Sequence, residues 1–130
     1  MHYRILAINP GSTSTKISIY DNEVPIFIRS ITHKAEEINK YKEINEQYGM
    51  RKNLILKELE DNNIDINSIN AIVARGGLLP PVKSGAYLIN EDMIDRLKNR
   101  PVIEHVSNLA AIIAYEIGKL VNIESYIYDS

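Results

Sequence analysis

The chain has 130 residues, enough for one domain with a real hydrophobic core, and its 45% hydrophobic and 25% charged content is that of an ordinary globular protein. A formal net charge of -2 gives no electrostatic reason to expect DNA, RNA or an anionic membrane as partner. The absence of cysteine excludes a disulfide scaffold, a thiolate metal site and a catalytic thiol, and suits a reducing cytoplasm, the expected location.

The first element is Ile5-Leu6-Ala7-Ile8, a compact apolar run that reads as a strand buried on both faces. It is too short for a signal-peptide core, and no stretch approaches the roughly 20 apolar residues of a membrane helix. Pro10-Gly11 breaks the run. From Thr15 to Tyr20 the sequence alternates, with Ile17 and Ile19 on one side and Lys16 and Ser18 on the other, which predicts a second strand. Asp21-Asn22 supplies turn chemistry, and Ile26-Phe27-Ile28 with Ile31 predicts a third strand, completing a meander.

After Lys34 the period changes. Ile38, Tyr41, Ile44 and Tyr48 recur as one face of an amphipathic helix, with Gly49 a point where it bends or ends. Met50, Leu54, Ile55 and Leu59 continue the helical spacing to a polar stop at Asp61-Asn62-Asn63. A buried strand is expected over Ile69–Val73, an extended loop at Pro80-Pro81, and a short strand over Ala86–Ile89. Asn90 is placed to cap a helix whose first turn carries Glu91 and Asp92, and Pro101 closes that segment. An apolar helix through Leu109, Ile112, Ile113, Ile117, Leu120 and Val121 follows, with Gly118 at a close helix contact, and Ile123–Tyr128 is a last strand. The order, in outline β-β-β-α-β-α-β, predicts an α/β domain with a mixed sheet. Ending directly after a strand is expected of a piece of a larger domain.

Chemistry concentrates in Asn9-Pro10-Gly11-Ser12-Thr13-Ser14-Thr15-Lys16. Phosphate needs closely spaced hydrogen-bond donors and a nearby positive charge. Here Gly11 allows close backbone approach, the hydroxyls donate, and Lys16 supplies the charge. This is not a Walker loop, which needs a glycine directly before the lysine and a helix after it. Thr15 precedes Lys16 and a strand follows, so the phosphate would sit in a hairpin. The alternation predicts Ser12, Ser14 and Lys16 on one face. The same residues also make an unremarkable turn, because Pro-Gly and Ser/Thr populate turns anyway.

Strand-Asn-Pro-Gly-Ser-Thr-Ser-Thr-Lys-strand resembles the first phosphate motif of the acetate kinase family, and its wording is most similar to the butyrate kinase branch. The likeness extends through Ala74-Arg75-Gly76-Gly77-Leu78-Leu79-Pro80-Pro81-Val82, Gly85–Asn90 and Glu104-His105-Val106-Ser107-Asn108-Leu109 to Tyr128-Asp129. It implies a ribonuclease-H-like (actin-like ATPase) lobe, the N-terminal one of a two-lobe kinase whose second lobe is absent from this chain. It also implies ATP/ADP with Mg2+ as cofactor, butanoate or a similar short fatty acid as substrate, and a homo-oligomeric full-length protein.

Carried over by resemblance, Asn9 stands near magnesium and the phosphates, while Ser12, Ser14 and Lys16 contact the transferred group. By the same resemblance, Arg75 is expected to bind the substrate carboxylate and the moving phosphoryl, and Asp129 to orient magnesium or the attacking carboxylate. Gly76, Gly77 and Glu104 fall at the substrate pocket. The acetate enzymes carry bulky aliphatic residues after the arginine, so Gly76-Gly77 implies room for a longer acyl chain, each added methylene being worth ~0.8 kcal/mol. Aligning on Asn108-Leu109 puts Glu104, not His105, where acetate kinases carry a histidine. His2, His33 and His105 show no metal-ligand spacing. An acetate or propionate kinase, and a non-catalytic actin-like ATPase domain, are the alternatives. The 130 residues by themselves are expected not to turn over substrate.

Overall fold

A computed structural model describes residues 3–74, 86–99 and 106–128. The strands β1 (Arg4–Pro10), β2 (Ser14–Asp21), β3 (Val24–Thr32), β4 (Ala71–Ala74), β5 (Ala86–Leu88) and β6 (Ser125–Tyr128) form one six-stranded sheet in the order β3-β2-β1-β4-β6-β5. The meander β1-β2-β3 is antiparallel, β4 and β6 run parallel to β1, and β5 returns antiparallel to β6. Helices α1 (Ala35–Ile38), α2 (Tyr48–Asp61), α3 (Glu91–Asn99) and α4 (Val106–Val121) complete the fold. α4 packs across β1, β4 and β6, with α2 and α3 against it.

Period-two patterning explains the sheet's inner face. Leu6 and Ile8 pair with Ile19 and Ile17 on one side and with Ile72 and Ala74 on the other, and all enter one core with Ile55, Leu59 and the α4 residues Leu109, Ile112, Ile113 and Ile117. Ile5 and Ala7 are buried on the opposite face, so β1 is covered on both sides, as its unbroken apolar run requires. At the edge strand β3 the register shifts between Ile19 and Tyr20, leaving Ile26 as an extra residue; Phe27 and Ile31 reach the core while Val24, Ile26 and Ile28 are exposed.

The single amphipathic helix expected after Lys34 is in fact interrupted. α1 spans only Ala35–Ile38, a 3-10 turn covers Ile44–Gln47, and α2 begins at Tyr48. The cause is local: the Glu46 carboxylate accepts the backbone N–H groups of Lys42 at 2.9 Å and Glu43 at 3.1 Å, which starts a fresh helical segment there. Gly49 sits inside the first turn of α2 and neither bends nor ends it.

Elsewhere the boundaries move little. β4 starts two residues later than Ile69, and Asn90 caps α3 by accepting the Met93 N–H at 2.8 Å. Asn22, Asn63 and Asn122 take the left-handed conformation, with φ of 57, 60 and 59°, and so close the β2–β3 turn and end α2 and α4. The close contact expected at Gly118 is present, because a Cβ there would lie 2.8 Å from the Ile123 carbonyl oxygen. The Pro80-Pro81 loop and Pro101 lie outside the described residues.

Candidate phosphate-binding site

The Asn9–Lys16 segment is the tip of the β1–β2 hairpin. Asn9 pairs with Lys16 and Pro10 with Thr15, and the Gly11 N–H closes the turn onto the Ser14 carbonyl at 2.7 Å. Cross-strand partners share a face, so Asn9 and Lys16 stand together, with Ser14 two residues before Lys16 on that side. Thr15 points the other way and is fully buried. Ser12 lies in the bend, outside β2, so alternation does not fix its side, contrary to the strand-phase argument; it is exposed at the hairpin tip. A Cβ on Gly11 would lie 3.5 Å from the Ser14 hydroxyl, an ordinary contact. Glycine is therefore not demanded by the chain itself. It keeps the space beside that hydroxyl open.

Beneath the hairpin is a residue that apolar periodicity does not reveal. Arg51 of α2 is 0% exposed. Its Nη1 donates to the carbonyl oxygens of Gly11 at 2.7 Å and Ser14 at 2.8 Å and to Thr15 Oγ1 at 3.2 Å, and its Nη2 donates to the Ser12 carbonyl at 3.1 Å. Nε and Nη2 both reach Gln47 Oε1, at 3.1 and 2.8 Å. The remaining loop carbonyl, that of Thr13, accepts the His33 N–H at 2.9 Å. The carbonyls of the turn are thus all engaged from within. Among the described residues, the N–H groups of Ser12 and Thr13 have no acceptor.

Burial pushes the Arg51 guanidinium down to about 10, so it is still a cation at neutral pH. His33, 6% exposed, holds its Nε2 at 2.7 Å from Thr15 Oγ1. Burial first, and the Arg51 charge second, lower the His33 pKa and keep the ring neutral. Thr15 Oγ1 also accepts from Arg51, and the other ring nitrogen of His33, Nδ1, is a buried atom with no partner among the described residues. The signal in the sequence was the helical line Gln47-Arg51-Ile55-Leu59, a polar pair extending an apolar stripe by i, i+4 steps. Met50 and Leu54, read as part of that stripe, are only partly buried.

Ile8, Ala74 and Ile127 are neighbours in register, so the carboxyl ends of β1, β4 and β6 lie side by side. Arg75 and Asp129 follow β4 and β6 in sequence; they, Gly76, Gly77 and Glu104 lie outside the described residues. Among the described residues no cluster of three His, Cys, Asp or Glu could hold a metal ion, and no helix is long and apolar enough to cross a membrane. A cleft of 660 Å³ lined by Asp95, Lys98, Tyr115 and Glu116 lies between α3 and α4, away from the hairpin.

No family model matches the chain. Over 127 residues, 98% of its length, it is 53% identical to butyrate kinase 1 of Clostridium acetobutylicum, of which it spans 36%. Among solved structures, acetate kinase from Entamoeba histolytica superposes with a TM-score of 0.54 at 16% identity, over 96% of this chain and 34% of that one. A propionate kinase from Francisella tularensis subsp. tularensis SCHU S4 gives 0.52 at 14% identity, over 97% and 36%. The chain therefore resembles about a third of a butyrate kinase over nearly its whole length, and it has the actin-like ATPase fold that acetate and propionate kinases share.

Proposed function

We propose that the protein carrying this chain is a carboxylate kinase that converts ATP and butanoate, or a similar short or branched fatty acid, to ADP and the acyl phosphate. The observation that carries the reading is the hairpin tip, where Asn9, Ser14 and Lys16 share one face while the loop carbonyls are held inward. Such a turn offers an anion N–H groups, hydroxyls and an ammonium with its carbonyl dipoles directed away. Support comes also from the side-by-side carboxyl ends of β1, β4 and β6, where open α/β sheets form ligand crevices. The 53% identity to a butyrate kinase supports the acid.

In this reading Ser12, Ser14 and Lys16 hold the γ-phosphoryl group of ATP, and Gly11 leaves room for it. Arg75 holds the carboxylate, for which a planar guanidinium is suited by its paired donors. A carboxylate oxygen forms the new P–O bond as the bond to the β-phosphate bridging oxygen breaks, and ADP leaves with that electron pair. The acid is already ionised at neutral pH, its pKa being near ~4, so no general base is required. The protein aligns and neutralises charge. The donor set at the hairpin, Asn9 and serine hydroxyls, is of neutral oxygens, which suits a magnesium ion that keeps waters and phosphate oxygens as ligands. Asn9 and Asp129 would hold it, and when bound it supplies charge neutralisation on the phosphate oxygens. One lobe from this chain, a second lobe for the adenosine, homo-oligomerisation and a cytoplasmic site belong to the same proposal.

The test is acyl-phosphate formation by the complete gene product, trapped with hydroxylamine, across ethanoate, propanoate, butanoate and 2-methylpropanoate. Preference for the four-carbon acids is expected. Preference for ethanoate would make the protein an acetate kinase, and no acyl phosphate from any acid would leave a non-catalytic ATPase domain.

A further inference from the structure

Arg51 is fully buried, yet its hydrogen bonds go only to neutral oxygens: Gln47 Oε1, the carbonyls of Gly11, Ser12 and Ser14, and the Thr15 hydroxyl. No carboxylate pairs with it among the described residues. Burying a cation without a counter-charge is unfavourable, and packing alone would be served as well by leucine or methionine. The planar fork does what those cannot, since it gathers the loop's carbonyls from several directions at once. It also leaves a positive charge directly behind the turn, in a medium where water screens it weakly.

We infer that Arg51 is the positioning residue of the phosphate loop, and that its unneutralised charge, set behind the turn, strengthens the site for the nucleotide's terminal phosphate. This rests on reading the hairpin as a phosphate site. Arg51 touches no substrate; it sets the shape of the loop and the potential at its surface. Gln47 belongs to the device because it is a neutral acceptor. A glutamate there would accept the same two hydrogen bonds and cancel the charge.

Gln47→Glu in the complete gene product therefore separates the two roles Arg51 could have. If Arg51 only braces the fold, the variant is at least as thermally stable as wild type and has unchanged kinetic constants, because the hydrogen bonds become charge-assisted. The inference predicts equal or higher stability together with a KM for MgATP raised about tenfold and a carboxylate KM within about twofold of wild type. Should Gln47→Glu fail to fold, Arg51→Lys keeps the charge and loses the fork; it is expected to raise the MgATP KM and leave that of the acid unchanged. Wild-type MgATP constants in the folded variant would overturn the inference. A parallel Lys16→Ala variant distinguishes the two levels. Loss of turnover in Lys16→Ala with no change in Gln47→Glu or Arg51→Lys sinks only the role of Arg51, whereas wild-type turnover in Lys16→Ala sinks the phosphate reading and the inference with it.

Discussion

His33 shows how one buried side chain makes stability depend on pH. Its pKa is lowered in the folded protein, by burial and then by Arg51, below the ordinary value of 6.5 that it regains on unfolding. Between those two values the unfolded chain binds a proton that the folded chain refuses. The stabilisation is therefore complete above the unfolded pKa and is lost as the pH falls toward the folded one. Thermal midpoints measured from about pH 7.5 to about pH 5 should fall for the wild type and fall less for His33→Asn. Parallel curves would show that His33 does not contribute this pH dependence. The sequence shows His33 only as a scattered histidine, because its environment is made by residues far along the chain: Thr15 in β2 and Arg51 in α2. Arg51 was missed for a related reason. Periodicity weighs apolar residues, and a buried cation satisfied by backbone carbonyls looks in sequence like any solvated arginine. That Ser14 and Lys16 share a face was legible because strand alternation is a local rule; Asn9 joins them through its cross-strand pairing with Lys16, which alternation within β2 does not give. Ser12 was not, since alternation stops where the strand stops.

At the scale of elements, local signals told most where they were strong. The Asp61-Asn62-Asn63 stop ends α2 with Asn63 left-handed, and Asn90 caps α3. The break between α1 and α2 escaped notice because Ile38, Tyr41, Ile44 and Tyr48 keep helical spacing while Glu46 caps a new start among them. Gly118 gives an element-scale test. A methyl group there would meet the Ile123 backbone oxygen at 2.8 Å, in the turn that carries α4 into β6, and a backbone atom has little freedom to yield. Gly118→Ala should destabilise the fold by about 1–3 kcal/mol, read as a lower denaturation midpoint with an unchanged slope. A raised midpoint would mean that α4 and β6 can separate without cost. Helix propensity alone would favour alanine by ~1 kcal/mol, so the sign of the change identifies which effect wins.

For the whole molecule, the α/β class and the opening meander follow from period and turn chemistry, whereas the strand order β3-β2-β1-β4-β6-β5 does not. It depends on which distant strands pair, and the short runs at Ala71–Ala74 and Ser125–Tyr128 carry no local mark of being neighbours. In the proposed reaction that pairing matters, because it sets the strand ends preceding Arg75 and Asp129 on the same sheet edge as the end of β1, in the order β1, β4, β6. The proposed reaction requires the hairpin to receive the terminal phosphate. The most direct measurement is a crystal structure of the complete gene product with magnesium and a non-hydrolysable ATP analogue. The γ-phosphate oxygens should lie within hydrogen-bond reach of the Ser12–Ser14 turn and the Lys16 ammonium, with Arg51 still bonded to the loop carbonyls from behind. A nucleotide bound with its terminal phosphate away from that turn would contradict the account.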